Sequence, residues 1–226
     1  MKDFEIDWER EQRTGVAEAV LCDGKTAVQI EAILAAAGER PMLLTRLDEP
    51  KHAQLSVECR RRLDYDSLSR TAIHGDRAAP TKSGPGIVCA GTSDLPVARE
   101  AARSLAFAGY VAPIVADVGV AGLWRLMRRI DEIRAFRVVI AVAGMEGALF
   151  SVLSGLVEAP VIAVPTSIGY GVAAGGRTAL DSALASCATG VVAVNIDNGF
   201  GGASAALRIL RRLEAGGAGA GPSSGR

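Results

Sequence analysis

The clearest hydrophobic pattern in the chain is a pair of short apolar runs, each followed by a turn of small residues. The runs Val138–Val142 and Pro160–Val164 are rich in β-branched residues, and the turns after them read Ala-Gly-Met-Glu-Gly and Pro-Thr-Ser-Ile-Gly-Tyr-Gly. Between the runs, apolar residues recur at helical spacing, at Leu149, Val152, Leu153 and Leu156. The pattern predicts two parallel strands joined by a helix, with both turns at one edge of a sheet.

The same alternation of strands and helices extends over residues 87–213. Strands are predicted over Ile87–Ala90, Tyr110–Ala116, Arg137–Val142, Pro160–Val164 and Val191–Ile196, and helices over Pro96–Ala108, Gly122–Ile133, Thr178–Cys187 and Ala203–Leu213. This order predicts a three-layer, doubly wound α/β domain with a five-stranded parallel sheet. The glycine-rich composition of residues 214–226 predicts a flexible tail.

Residues 1–80 follow a different pattern, with more charge and shorter apolar runs. Thr26 can cap a helix over Ala27–Ala37, followed by a strand at Met42–Leu44, a helix around His52–Arg61 and a polar strand or turn near Asp64–Ile73. We expect a small α+β lobe with too little apolar surface for an independent core. It would pack on the main domain or on a neighbouring subunit. The Pro/Gly-rich segment Arg77–Gly86 is predicted to be a linker.

Composition narrows the classes of function. The 226 residues include 25 basic and 25 acidic side chains, and only 4% are aromatic. This balance lacks the broad positive charge and the stacking residues of a nucleic-acid-binding protein. The four cysteines form no CxxC pair, which favours reduced thiols. No signal peptide or membrane span is visible, so we expect a cytoplasmic protein.

Two strand ends carry candidate binding residues. Gly91, Thr92, Ser93 and Asp94 follow the first strand and open a helix, where hydroxyl and backbone N–H groups can hold a phosphate. The alternative is an ordinary helix cap. Asp117 ends the second strand and can bind a ribose hydroxyl or a cation, or cap the next helix.

A lone carboxylate and a cysteine are the candidates for chemistry. Glu146 is the only acidic residue in the small and apolar stretch 141–155, which would raise its pKa and suit proton transfer. Alternatively, it is a glutamate that stabilises a helix N-terminus. Cys187 lies at the end of a predicted helix, and on spacing alone a buried, inert thiol is the commoner outcome.

Polar residues elsewhere favour structural roles or leave two alternatives open. The run Asn195–Gly199 either forms a turn or lines the crevice. His52 and His74 lack metal-like spacing, so structural or solvent-facing positions are expected for both.

Taken in order, a set of motifs resembles the LarB family, the carboxylase/hydrolases that begin nickel-pincer nucleotide synthesis. Its C-terminal part is related to the PurE-type, flavodoxin-like fold of aminoimidazole ribonucleotide carboxylases. The resemblance covers about residues 10–210, and the motifs are AGTSDLPVAREAA, DVGVAGLWRL, VVIAVAGMEGAL, APVIAVPTSIGYG and SCATGVVAVNIDNGFG.

The resemblance implies a specific reaction. Nicotinic acid adenine dinucleotide, carbon dioxide and water would give pyridinium-3,5-biscarboxylic acid mononucleotide and AMP. Cys187 falls on the family cysteine thought to add to the pyridinium ring. Glu146, in Gly-Met-Glu-Gly, would remove the ring proton. Magnesium is expected as a cofactor, with carbon dioxide or bicarbonate as co-substrate and no organic cofactor.

The resemblance also implies binding roles and a homo-oligomer, an octamer by family analogy. The loop from Gly91 to Asp94 would hold the phosphoribosyl group, with Asp117 nearby on ribose or magnesium. The loop from Pro165 to Tyr170, with Thr166 and Gly169, would pack around the nicotinate ring and the carbon dioxide site. Gly144 and Met145 are further substrate-binding candidates.

Three positions depart from the family pattern. Phe150 stands where proline is usual, Trp124 where histidine is common, and Val172–Gly176 replaces a bulkier loop. Two rival functions are an aminoimidazole ribonucleotide carboxylase or mutase and a nucleotide-binding module without turnover. The Ser-Ala-His-Arg motif typical of the former is absent.

Overall fold

The computed structural model describes residues 4–218, with side chains described for residues 4–216. The N-terminal lobe contains helices α1 (Arg10–Thr14), α2 (Ala27–Ala37), α3 (Glu49–Gln54) and α4 (Val57–Arg61), and strands β1 (Ala19–Leu21), β2 (Met42–Thr45), β3 (Leu63–Asp66) and β4 (Thr71–His74). The strands form one sheet in the order β1-β2-β4-β3, in which only β1 and β2 are parallel.

The lobe has a hydrophobic core of its own, which differs from our expectation. Ile30 and Leu34 of α2 pack with Met42 and Leu44 of β2. Cys22 and Leu47 add to this core from positions outside the predicted helices and strands, which is why the apolar surface was underestimated. Ser56 interrupts the predicted helix over His52–Arg61, because its backbone is extended and its hydroxyl accepts the Cys59 N–H at 3.3 Å to start α4.

The second part of the chain contains strands β5 (Pro85–Cys89), β6 (Ile114–Val115), β7 (Val138–Ala143), β8 (Val161–Pro165) and β9 (Val192–Ala193), and helices α5 (Leu95–Phe107), α6 (Leu123–Arg128), α7 (Ile130–Arg134), α8 (Ala148–Ser154), α9 (Arg177–Leu184) and α10 (Gly199–Ala218). The strands form one parallel sheet in the order β6-β5-β7-β8-β9. Helices α5 and α10 cover one face, and α6 to α9 cover the other. The predicted three-layer α/β fold is confirmed.

Several boundaries differ from prediction. Of the strand predicted at Tyr110–Ala116, only Ile114–Val115 forms β6, because Pro113 has no backbone N–H to donate to a neighbouring strand. The helix predicted over Gly122–Ile133 breaks at Arg129, whose φ is −111°. Strand β5 includes the end of the predicted linker. Helix α10 continues to Ala218, so the tail predicted from residue 214 starts too early, and residues 219–226 lie outside the described part.

Polar contacts join the lobe to helix α5. Arg103 of α5 donates from Nε to the Thr71 hydroxyl at 2.7 Å and from Nη2 to the Asp64 carbonyl at 2.6 Å. Arg99, one turn earlier, forms an ion pair with Asp66. The lobe therefore sits on the face that α5 presents away from the sheet.

Glu100 is a buried carboxylate at the same junction. It is 5% exposed and accepts the backbone N–H of Gly199, at the start of α10, at 2.9 Å. Burial raises the pKa of Glu100 to about 7, although the positive charge of Arg46 in the lobe opposes the shift. The folded chain therefore binds a proton at Glu100 over a pH range in which the unfolded chain has released it.

Glu100 should make stability depend on pH. Between the ordinary glutamate pKa of 4.5 and about 7, the folded chain holds more protons, so the free energy of unfolding falls as pH rises. Relative to Glu100→Gln, the wild type should lose about 3 kcal/mol between pH 4 and pH 8, by the usual conversion of a pKa shift. Urea unfolding of both proteins at the two pH values measures this difference. Parallel pH dependences would contradict it.

Candidate active site

The carboxyl ends of β5, β7 and β8 meet at one edge of the sheet, as the alternation of strands predicts. An open cleft of about 310 Å³ lies there, between the loops after β5, β6 and β7. Predicted site residues on its wall are Gly91, Ser93, Asp94, Gly144, Met145 and Glu146. Ile168 also contributes to the wall, from the predicted ring-binding loop, and so do Gly119 and Val120, which were not predicted.

Asp94 joins the loop after β5 to the loop after β8. Its Oδ1 accepts the Thr166 hydroxyl at 2.6 Å, and its Oδ2 accepts the Gly91 N–H at 2.9 Å. Asp94 is 4% exposed and Thr166 is fully buried. Burial raises the pKa of Asp94, and the hydrogen bonds from Thr166 and Gly91 oppose this shift. Asp94 and Thr166 thus hold the starts of the loops after β5 and β8 together, while Gly91 and Ser93 face the cleft.

Gly144 allows the loop after β7 to lie against the loop after β8. A Cβ at this position would overlap the Ile168 carbonyl oxygen and the Thr166 hydroxyl. The close approach lets the Met145 N–H donate to the Ile168 carbonyl at 2.7 Å. Met145 itself adopts a left-handed backbone with φ of 53°. The packing of the two loops therefore requires a glycine at position 144. The sequence analysis had instead predicted Gly144 as a residue that contacts substrate.

Glu146 projects from this fixed loop as an exposed side chain. Its neighbours on the cleft wall are small or apolar, as predicted, and include Ala143, Ala148 and Leu149. The carboxylate is nevertheless exposed, because the cleft is open to solvent. A solvent-accessible carboxylate at the cleft can accept a proton from a bound molecule.

Asp117 lies in the loop after β6 and has a left-handed backbone conformation, with φ of 58°. Its Oδ2 accepts Nη1–H of Arg125 at 2.6 Å, so it pairs with a side chain of α6 instead of capping that helix. The sequence analysis did not predict a role for Arg125. The only indication in the sequence is that a basic residue stands near the start of the helix that follows Asp117. Neither Asp117 nor Arg125 belongs to the wall of the cleft.

The loop after β8 is held by a turn before α10 and by the N-terminal lobe. Asp197 accepts the Ser167 N–H through Oδ1 at 2.8 Å and donates its own N–H to the Pro165 carbonyl at 2.8 Å. Arg46 donates from Nη2 to the Asp197 carbonyl at 2.8 Å. Asn198 caps α10 by accepting the Gly201 N–H at 2.7 Å. The run Asn195–Gly199 thus forms a turn, and its aspartate positions the crevice loop.

Beyond Ile168, the predicted ring-binding loop turns away from the cleft. Gly169 packs against the backbone of Ala173, where a Cβ would not fit. Tyr170 is 78% exposed and Val172 is 94% exposed. Pro165 belongs to the buried end of β8. In one chain, therefore, neither Tyr170 nor Gly169 lines the cleft.

Phe150 and Trp124, two residues that depart from the family pattern, lie in different surroundings: one is buried and the other is exposed. Phe150 is fully buried, and its ring lies under Gly147, so it supports the Glu146 loop from the core instead of shaping the cleft. Trp124, on α6, is 61% exposed.

Cys187 lies outside the cleft. It is the exposed member of the four cysteines, in the turn between α9 and β9. Its neighbour Ser186 shares a hydrogen bond of 2.7 Å with Ser151 of α8. In contrast, Cys22 and Cys89 are buried, and burial raises the pKa of each thiol to about 12. A single chain therefore does not bring Cys187 next to Glu146.

The two histidines have structural contacts. The His52 ring stacks on Tyr65 at 3.9 Å between centroids, and His74 pairs through Nε2 with the Gly38 carbonyl at 2.8 Å. Within residues 4–218, no group of three His, Cys, Asp or Glu side chains could hold a metal ion. Over the same residues, no helix has the length and apolar character needed to cross a membrane.

Comparisons with known proteins identify the family. The family model "LarB/PurE-like N-terminal domain" matches residues 1–76, and the model "AIR carboxylase" matches residues 86–216. The chain belongs to the LarB family, which is related to PurE. The two matched domains support an enzyme of the carboxylase type.

Two individual proteins are also similar to this LarB-family chain. The uncharacterized protein MJ0165 of Methanocaldococcus jannaschii is 39% identical over 210 residues, covering 88% of this chain and 80% of that protein. A crystal structure of a serine-to-aspartate variant of Treponema denticola PurE2 aligns with a TM-score of 0.42 and 18% identity, covering 61% of this chain and 94% of that one.

Loss of Arg46 should loosen the loop that follows β8. The Arg46→Ala variant lacks the hydrogen bond to Asp197, whose carboxylate holds Ser167, so the amide of Ser167 should exchange with solvent about tenfold faster. Hydrogen-exchange mass spectrometry of peptides covering 165–171 measures this change. Arg61→Ala removes an exposed arginine of the same lobe and should leave these peptides unchanged. Equal exchange in all three proteins would contradict the positioning role.

Proposed function

We propose that the protein carboxylates the pyridinium ring of nicotinic acid adenine dinucleotide and hydrolyses its phosphoanhydride. The products would be pyridinium-3,5-biscarboxylic acid mononucleotide and AMP. The observation that carries the proposal is the position of Glu146, an exposed carboxylate on the wall of the cleft where the Gly91–Asp94 loop and the β7 loop meet. Membership of the LarB family supports the choice of substrate.

The loop after β5 suits the phosphoribosyl end of this substrate. Gly91 and Ser93 face the cleft, and the turn Thr92–Asp94 leads directly into the thirteen-residue helix α5. The N-terminus of such a helix favours a phosphate through its free N–H groups and its dipole. Small side chains on the wall leave space for a flat ring.

The proposed chemistry uses a thiolate and a carboxylate. The Cys187 thiolate forms a C–S bond at the ring carbon para to nitrogen, and the displaced electron pair neutralises the pyridinium. The adjacent enamine carbon then attacks carbon dioxide and forms a C–C bond. Glu146 takes the proton from that carbon, the ring regains aromaticity, and the C–S bond breaks to return the thiolate. Attack of water on the phosphoanhydride releases AMP.

Magnesium stays a prediction, and the described residues do not fit a protein-bound ion. Both oxygens of Asp94 accept hydrogen bonds from within the chain, and Asp117 is paired with Arg125. The proposed reaction therefore routes no step through a metal.

A second candidate is carboxylation or mutase chemistry on an aminoimidazole ribonucleotide. The match of residues 86–216 to the AIR carboxylase model favours it. That reaction would use the same phosphoribosyl loop without a thiol nucleophile. Offering both nucleotides to the purified protein distinguishes the two functions by which one gains a carboxyl group.

Removal of the thiol or of the carboxylate should stop carboxylation of nicotinic acid adenine dinucleotide. Cys187→Ala removes the nucleophile and should reduce the rate to below about one thousandth. Glu146→Gln keeps the shape but not the base and should reduce it by about 10²–10⁴-fold. Chromatography of the carboxylated product measures both rates. Cys59→Ala changes a thiol of the N-terminal lobe and should keep full activity. Full activity of Cys187→Ala would contradict the covalent mechanism.

A further inference from the structure

We propose that a second cleft, between α1 and the later turns of α10, binds a polyphosphate group such as that of a nucleoside di- or triphosphate. The cleft has a volume of about 750 Å³, which lies in the range of small-molecule sites. Two elements supply its lining: Trp8 and residues 11–15 from the N-terminal lobe, and Arg208, Arg211, Arg212 and Ala215 from α10. The proposed carboxylation uses none of these residues.

This second cleft lies at the opposite end of α10 from the active site. Helix α10 begins at Gly199, directly after the turn that holds the β8 loop, and Gly202 packs against Val164 at the carboxyl end of β8. Leu210 instead packs against Gly84, immediately before the amino end of β5. The turns that carry the arginines are about 13–20 Å along the helix from its start. A ligand bound there is therefore separate from one in the catalytic cleft.

Positive charge dominates the lining of the second cleft, although the whole chain has no net charge. Four of the lining side chains are arginines, and Glu11 is the carboxylate among them. Glu11 accepts a hydrogen bond from Arg211 at 2.8 Å and lies 3.5 Å from a guanidinium nitrogen of Arg77. Because two cations already share its negative charge, Glu11 does not neutralise the other arginines of the lining.

Arg208 and Arg212 are the groups best placed to hold an anion. They lie four residues apart, on one face of α10, and both are exposed. Among residues 4–216, neither forms an ion pair with a carboxylate. Arg13 contributes a further guanidinium from α1, where it pairs with Asp7. Guanidinium groups bind phosphate oxygens through paired, charge-assisted hydrogen bonds.

The dipole of α10 does not account for these arginines. A helix dipole favours cations within the last turn, whereas α10 continues to Ala218 and has no basic residue in its last turn. Solvation of a charged helix face would place arginines on a convex surface of one element. Here they line a concave space together with Arg13 of a second element, which is the arrangement expected for an anionic ligand.

Trp8 gives the cleft a surface for a flat ring. Its side chain is 39% exposed, and the Arg40 guanidinium lies 4.8 Å from the ring centroid. Gly15 ends α1 with φ of 79° and approaches Arg211, whose Cδ would lie 3.4 Å from a Cβ at that position. This approach holds the segment with Trp8 beside α10. An exposed indole can pack against a base, so a nucleotide would gain a contact that free pyrophosphate lacks.

The fluorescence of Trp8 tests the inference. Trp124→Phe removes the other tryptophan, which is 61% exposed on α6 and lines neither cleft. Titration of this variant with ATP or with pyrophosphate should change the emission of Trp8, and adenosine should not. In the same background, Arg208→Ala and Arg212→Ala should each raise the Kd about tenfold, because each removes charge-assisted hydrogen bonds. Arg61→Ala, an exposed arginine outside the cleft, should leave the Kd unchanged.

The same ligands should raise the Tm of the protein, because they bind the folded chain alone. Equal Kd values for ATP and pyrophosphate would show recognition of the polyphosphate by itself, whereas tighter binding of ATP would show that the base is also held. The inference would be overturned if neither compound changed the emission or the Tm, or if both arginine variants kept the original Kd. Tighter binding of adenosine than of pyrophosphate would also overturn it. None of these measurements depends on carboxylation.

Discussion

The buried hydrogen bond from Thr166 to Asp94 is the interaction on which the site depends. It joins the loop after β8 to the loop after β5 across the end of β7, at 2.6 Å and between two buried side chains. The β7 loop can pass beneath it only because Gly144 has no side chain. This constraint holds three loops in one arrangement and leaves Glu146 projecting at the cleft. The position of the Glu146 carboxylate at the cleft is thus set by residues that do not touch the reacting atoms.

The N-terminal lobe contributes to the same arrangement from outside the α/β domain. Arg46 contacts the turn whose Asp197 holds Ser167, and Glu100 connects the start of α10 to α5 beside the lobe. The lobe is folded around a core of its own, so its contacts with the crevice loop come from a preformed surface. This explains how a region without a predicted catalytic residue can belong to the functional unit.

The features of the fold and the site that depend on local sequence patterns were predicted correctly. Apolar alternation located all five parallel strands, and the position of Gly91–Asp94 and Glu146 at strand ends correctly placed them at one edge of the sheet. Three features were not predictable from local patterns. The pairing of Asp117 with Arg125 depends on the direction of a helix after a loop. The exposure of Glu146 depends on how open the cleft is. The separation of Cys187 from Glu146 depends on the parallel course of α8 and α9, which only their packing reveals.

The central claim is that carbon dioxide is joined to a nicotinate nucleotide while its phosphoanhydride is cleaved. Mass spectrometry of the products formed from nicotinic acid adenine dinucleotide and isotopically labelled bicarbonate tests it most directly. The account predicts AMP together with a pyridinium mononucleotide heavier by one labelled carboxyl group. Unchanged dinucleotide, or AMP release without incorporation of the label, would contradict it.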